Sequence, residues 1–130
     1  MTNKEKLQSL YTDYNLSKED VYKSPQGWVI ITRSGIDKIQ AAAQITVDYE
    51  VLQYEHGVHA AVKAIARNEK REIQTFGTAV IGGFPKGNTK TSYILEMAEK
   101  RAMSRAVLKL AGFYELGVFG EDESEDFKKK

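Results

Sequence analysis

The chain has 130 residues, 42% of them hydrophobic, which suits one domain with a modest core. It has no cysteine, so neither a disulfide framework nor a thiolate metal site is available. Neither the opening MTNKEKLQSL nor any later stretch has the apolar run of a signal peptide or a membrane span, so a soluble cytoplasmic protein is expected.

The net charge of +1 conceals a division. Residues 58–109 carry ten basic and four acidic side chains, whereas residues 1–57 carry six and eight. Residues 113–127 carry no base and six acids, before Lys128, Lys129 and Lys130 close the chain. A basic middle followed by an acidic tail suits a polyanion-binding surface.

In chain order, Leu7, Leu10, Tyr11 and Tyr14 recur at helical spacing and predict a helix over residues 3–14. Ser17 to Asp20 resembles a capping box and predicts a short helical turn to about Lys23, broken by Ser24-Pro25-Gln26-Gly27. Residues 27–32, GWVIIT, read as a short leading strand. Ser34 then looks like an N-cap for a helix whose face is Ile36, Ile39 and Ala43, ending near Gln44.

The strongest strand signal follows. Ile45, Val47, Tyr49 and Val51 alternate with Thr46, Asp48 and Glu50. Glu55-His56-Gly57 reads as a turn, and both histidines, His56 and His59, as polar side chains beside it. In residues 58–67, VHAAVKAIAR, one face is Val58, Ala60, Val62 and Ala64, the other His59, Lys63 and Arg67. After Asn68-Glu69-Lys70, residues 71–81 form a third strand, and the short turns imply an antiparallel meander.

A glycine-rich loop, residues 82–92, leads to a helix capped by Ser92, running to about Ala111 and stopped by Gly112. The expected fold is α+β, an antiparallel meander followed by a long helix, with N-terminal helices and a short leading strand. The expected parts are an N-terminal helical segment (1–26), a β-β-β-α core (27–119) and an acidic tail without order (120–130).

On the last helix, Leu95, Ala102, Ala106 and Leu110 share one seam suited to the sheet. Ile94, Met97, Arg101 and Leu108 share a second, with Arg105 beside Arg101, which suits another subunit or a ligand. The bland alternative for both arginines is a solvated pair with Glu96 or Glu99. The loop has the Gly82–Gly87 spacing of a nucleotide-binding P-loop, but Asn88-Thr89 stands where Lys and Ser/Thr are needed. It still offers backbone N–H groups, Lys86 and Lys90 to a phosphate backbone. Trp28, Phe76, Phe84 and Tyr93 have the faces to stack on bases, though core packing is the commoner role of each. No paired acid/base site emerges, so no enzyme, metal or cofactor is expected.

Residues 27–112 resemble the Rad-fifty-two superfamily of single-strand annealing proteins, which includes phage Sak-type and Erf-type recombination proteins. The resemblance rests on GWVIITRSGIDKIQAAAQI, the strands VHAAVKAIAR and REIQTFGTAVIG, the glycine-rich loop, and the helix LEMAEKRAMSRAVLKLAG. It implies a β-β-β-α core that assembles into rings or filaments. Single-stranded DNA would lie in a basic groove between sheet and helices, with its bases exposed for pairing. The matching positions are Lys100, Arg101, Arg105 and Lys109 on the helix and Lys63 and Arg67 on the strand. The acidic stretch 120–127, ending in Phe127, resembles the partner-recruiting tails of bacterial single-strand-binding proteins, although three lysines follow it here and a solvated tail that aids solubility or repels nucleic acid is the alternative. A double-stranded RNA-binding-like domain, also α-β-β-β-α, and a module that binds only protein are the competing expectations.

Overall fold

The structure, a computed structural model, describes residues 2–25, 27–82, 87–89 and 93–121. The architecture is α+β, as expected. The main sheet is an antiparallel meander of β3 (Thr46–Glu55), β4 (His59–Arg67) and β5 (Glu72–Val80), in that order. The long helix α3 (Ile94–Ala111) lies across one face of it.

Alternation explains which face. Ala60, Val62, Ala64 and Ala66 of β4 are buried, as are Thr75, Gly77 and Ala79 of β5. Small side chains dominate this face, and the helix therefore comes very close. A Cβ on Gly77 would collide with the Ala98 carbonyl oxygen and the Ala102 amide. Thr75 Oγ1 also donates to Ala102 O at 2.6 Å. Gly112 stops α3 with φ of 93°, a left-handed conformation glycine adopts at little cost.

The other side of α3 is covered too. A second sheet contains β1 (Val21–Lys23), β2 (Val29–Ile31) and β6 (Val118–Gly120), ordered β1-β2-β6 with β2 and β6 parallel. Gly120 permits a close approach to Ser104 on α3. Helix α2 (Arg33–Ala42) adds Ile36 and Ile39 to the same core. Helix α1 (Asn3–Asp13) lays Leu7, Leu10 and Tyr11 on it, and Tyr11 and Tyr14 stack toward the fully buried Phe113. A buried side chain of that size contributes roughly 1.5–3 kcal/mol.

Several expectations need correction. Residues 21–23 are a strand, not a helical turn. Asp20 accepts from the Ser17 amide and hydroxyl, closing one turn, and also from Ser34 Oγ and Lys38 Nζ at 2.8 and 2.7 Å. The chain then leaves in the extended direction that pairs with β2. The N-cap of α2 is Thr32, whose hydroxyl accepts from Gly35 N, because the Ser34 hydroxyl is engaged by Asp20.

The expected boundary at residue 26 falls inside the β1–β2 hairpin, and Gly120 and Glu121 belong to the fold. Gly120 ends β6, and the Glu121 carboxylate accepts from Arg33 N. Ser92 and residues 122–130 lie outside the described residues.

Candidate nucleic-acid interface

The basic run of α3 does not form one face. Arg101 is only 2% exposed, although it was expected to hold a phosphate. Its guanidinium donates to Thr78 O at 2.8 Å and Asn88 O at 2.9 Å. Arg105 donates to Phe76 O at 2.8 Å. Asn88 finishes the row, accepting from Val80 N through Oδ1 and donating its own N–H to Val80 O. Two arginines and one asparagine thus occupy the carbonyls of Phe76 and Thr78 and both backbone groups of Val80 along the outer edge of β5. A buried carbonyl left unmatched costs about 1–3 kcal/mol. That requirement draws Arg101 inward.

The second seam of α3 is likewise spent inside the protomer. Ile94 and Leu108 are buried and Met97 is partly so. The seam expected to meet another subunit is therefore core. Lys100 is exposed, but it stands about 140° around the helix from Arg105 and about 180° from Lys109.

On the outer face of the main sheet, the expected strand cations have acidic neighbours. Arg67 bridges Asp48 at 2.6 Å and Glu72 at 3.1 Å, and these hydrogen bonds, Asp48 first, raise its pKa further. Lys63 lies 3.7 Å from Glu50, and His59 3.8 Å from Glu55. The β4–β3 register produces this ladder by setting Arg67, Lys63 and His59 beside Thr46, Glu50 and Glu55. A phosphate arriving here meets carboxylates as well as cations. Lys86 and Lys90 lie outside the described residues.

Two expected residues do come together. Arg105 and Lys109, one turn apart on α3, line a groove of about 300 Å³ with Gln74, Thr75, Phe76 and Tyr114. Phe76 is 50% exposed and Lys109 is exposed. Tyr114 sits on a 3₁₀ turn (Tyr114–Leu116) held after Gly112 by the Phe113 N–H bond to Leu108 O. Sequence reasoning missed Tyr114, which follows the helix stop and has no periodicity to mark it. It also missed Arg71, which caps α3 by donating to Lys109 O and Leu110 O at 3.0 and 3.2 Å. A cation at a helix C-terminus is favourable, and it anchors the end that presents Lys109.

Chemically the groove brings two cations, one turn apart, together with the aromatic residue Tyr114. Phosphate neutralisation and base stacking need those groups and no bond-making chemistry. A larger concavity of about 640 Å³ between α1 and residues 15–21 has Lys18 as its one charged lining residue. Among the described residues no group of three His, Asp or Glu side chains is placed to hold a metal ion, and no helix is long and apolar enough to cross a membrane. No family model, curated protein or solved structure matches this chain.

Proposed function

We propose that this protein binds single-stranded DNA and promotes the annealing of complementary strands, in the manner of the Rad-fifty-two superfamily it resembles. The observation that carries this reading is the groove that Arg105 and Lys109 line at the β5 edge together with the aromatic ring of Tyr114. A single strand can place phosphates against the two cations while an unpaired base meets the ring. A duplex, whose bases are already stacked on each other, has no use for such a ring. Action on DNA in the cytoplasm, without a cofactor, goes with this reading. So does a protein partner for the acidic stretch 120–127.

Self-assembly belongs to the same proposal. Because the second seam of α3 is internal, β3 is the surface assigned here to a neighbouring copy. Its Tyr49, Val51, Leu52 and Tyr54 are all well exposed.

The test is fluorescence anisotropy of labelled single-stranded DNA against duplex DNA and duplex RNA at several salt concentrations. The expected order places single strands tightest. Lys109→Ala should weaken binding and make the salt slope shallower by about 0.7, the share of one phosphate contact on a single strand. A preference for duplex RNA would support the double-stranded RNA-binding alternative instead. Absence of binding to all three would leave the protein-only module.

A further inference from the structure

The groove does not end at Tyr114. Its ring centroid lies 5.7 Å from that of Phe119, and Phe119 lies 5.5 Å from Trp28, both pairs meeting nearly edge to face. Phe119 is on β6, in register with Ile30 of β2, which is in register with Tyr22 of β1. Side chains alternate along these strands. Ile31, Val118 and Gly120 turn toward α3 and the core, so Tyr22, Ile30 and Phe119 share the opposite face. Trp28, two residues before Ile30, joins them through its contact with Phe119. Ile30 is fully buried on this face, whereas Trp28 remains 42% and Tyr22 40% exposed. The rings therefore do more than cover Ile30. They form an apolar surface that starts in the cationic groove and crosses onto the small sheet.

We propose that the nucleic-acid path extends from the Arg105–Lys109 groove over Tyr114 and Phe119 to Trp28, which stacks on a base of the bound single strand. This inference rests on the single-strand reading and adds a second contact region to it. In it the groove holds phosphates and the aromatic surface holds bases. Stacking on a ring tolerates any base, so the extension adds affinity and site length without sequence preference. A structured duplex has no exposed base for Trp28, so the same residue sharpens discrimination against double strands.

Trp28 is the only tryptophan in the chain, so its emission reports on this position alone. The full chain is titrated with oligothymidylate while two signals are followed: anisotropy of a labelled trace of the same oligonucleotide, and Trp28 emission with its quenching by acrylamide. The expected result is a fall in emission and a loss of acrylamide access that saturate together with the anisotropy. Trp28→Ala should weaken binding about tenfold and Trp28→Phe much less. Saturable anisotropy with unchanged emission and unchanged acrylamide access overturns the extension and leaves the groove reading standing. A Trp28→Ala variant that folds and binds as tightly as the native chain overturns it equally. No anisotropy change at all overturns both. Should Trp28→Ala fail to fold, the emission of the native chain still decides.

Discussion

The main sheet has two edges, and they are finished in opposite ways. Along β5, Arg105, Arg101 and Asn88 occupy the backbone groups of Phe76, Thr78 and Val80. Along β3, among the described residues, no strand or side chain covers the ladder in this manner. There Tyr49, Val51, Leu52 and Tyr54 stay exposed, Val51 by 53%. A β-bulge between Val51 and Gln53 interrupts the register, a common way to make an edge a poorer template for uncontrolled pairing. An edge whose carbonyls are already occupied is a poorer template for strand addition than an open one. The same arginines explain why the helix is less basic to a ligand than its composition suggests: half of the expected phosphate ligands on α3 maintain a strand edge, and Arg105 stands at the boundary between the two roles.

The contrast can be broken most severely at Arg101. Arg101→Met is close in volume and removes the charge-assisted bonds to Thr78 O and Asn88 O, so chemical denaturation should show a loss of about 2–4 kcal/mol. An unchanged midpoint would mean that the β5 edge does not depend on this residue. Gly77→Ala comes next. A methyl there meets the α3 backbone at Ala98 and Ala102, and lifting the helix off β5 should cost about 1–3 kcal/mol. Asn88→Ala, at the end of the row, should cost about 1 kcal/mol in the same measurement.

Acid probes a different part of the molecule, the Asp20 carboxylate that ties the segment before β1 to α2. Asp20, bonded first by Lys38 and then by the Ser17 amide, is held well below the ordinary carboxylate value of 3.8. Its contribution is therefore complete above that value and is lost as pH falls below it toward the folded-state pKa. Asp20→Asn should flatten the fall in stability below about pH 4, measured by urea unfolding across pH, while Arg101→Met should leave that fall unchanged. The smallest effect on stability is expected at the open edge. Val51→Lys should change folding by no more than about 0.5 kcal/mol and yet reduce self-association, read as molar mass in solution. A large loss of stability there would mean that β3 is more deeply packed than its exposure indicates.

Much of the fold was legible because it is written in near-neighbour patterns. Val47, Tyr49 and Val51 alternate with Asp48 and Glu50, and β3 forms there. Small and polar residues separate the strands, and the meander follows. Gly112 stops α3 where expected. The small sheet was less legible. Val21–Lys23 and Val118–Gly120 are three-residue strands, too short to carry a period, and β6 pairs in parallel with a strand nearly ninety residues away in sequence. The site was legible by half. Arg105 and Lys109 were expected and meet in the groove, but nothing local distinguishes Arg105 from Arg101 four residues earlier.

What the amino-acid sequence determined alone is the order of the main-sheet strands and α3, the face that β4 buries and the concentration of basic charge in residues 58–109. Those properties depend on residues within a few positions of each other, through side-chain alternation, capping and helical spacing. What only the tertiary structure decided is the fate of each charge. Arg101 is committed to carbonyls 13 and 23 residues away, and Arg67 to carboxylates on both neighbouring strands, including one 19 residues distant. Arg105 is bonded to the Phe76 carbonyl 29 residues away and, with Lys109 and Tyr114, lines a groove beside it. A cation's free energy depends on the partners that packing brings to it, and sequence spacing does not contain that information.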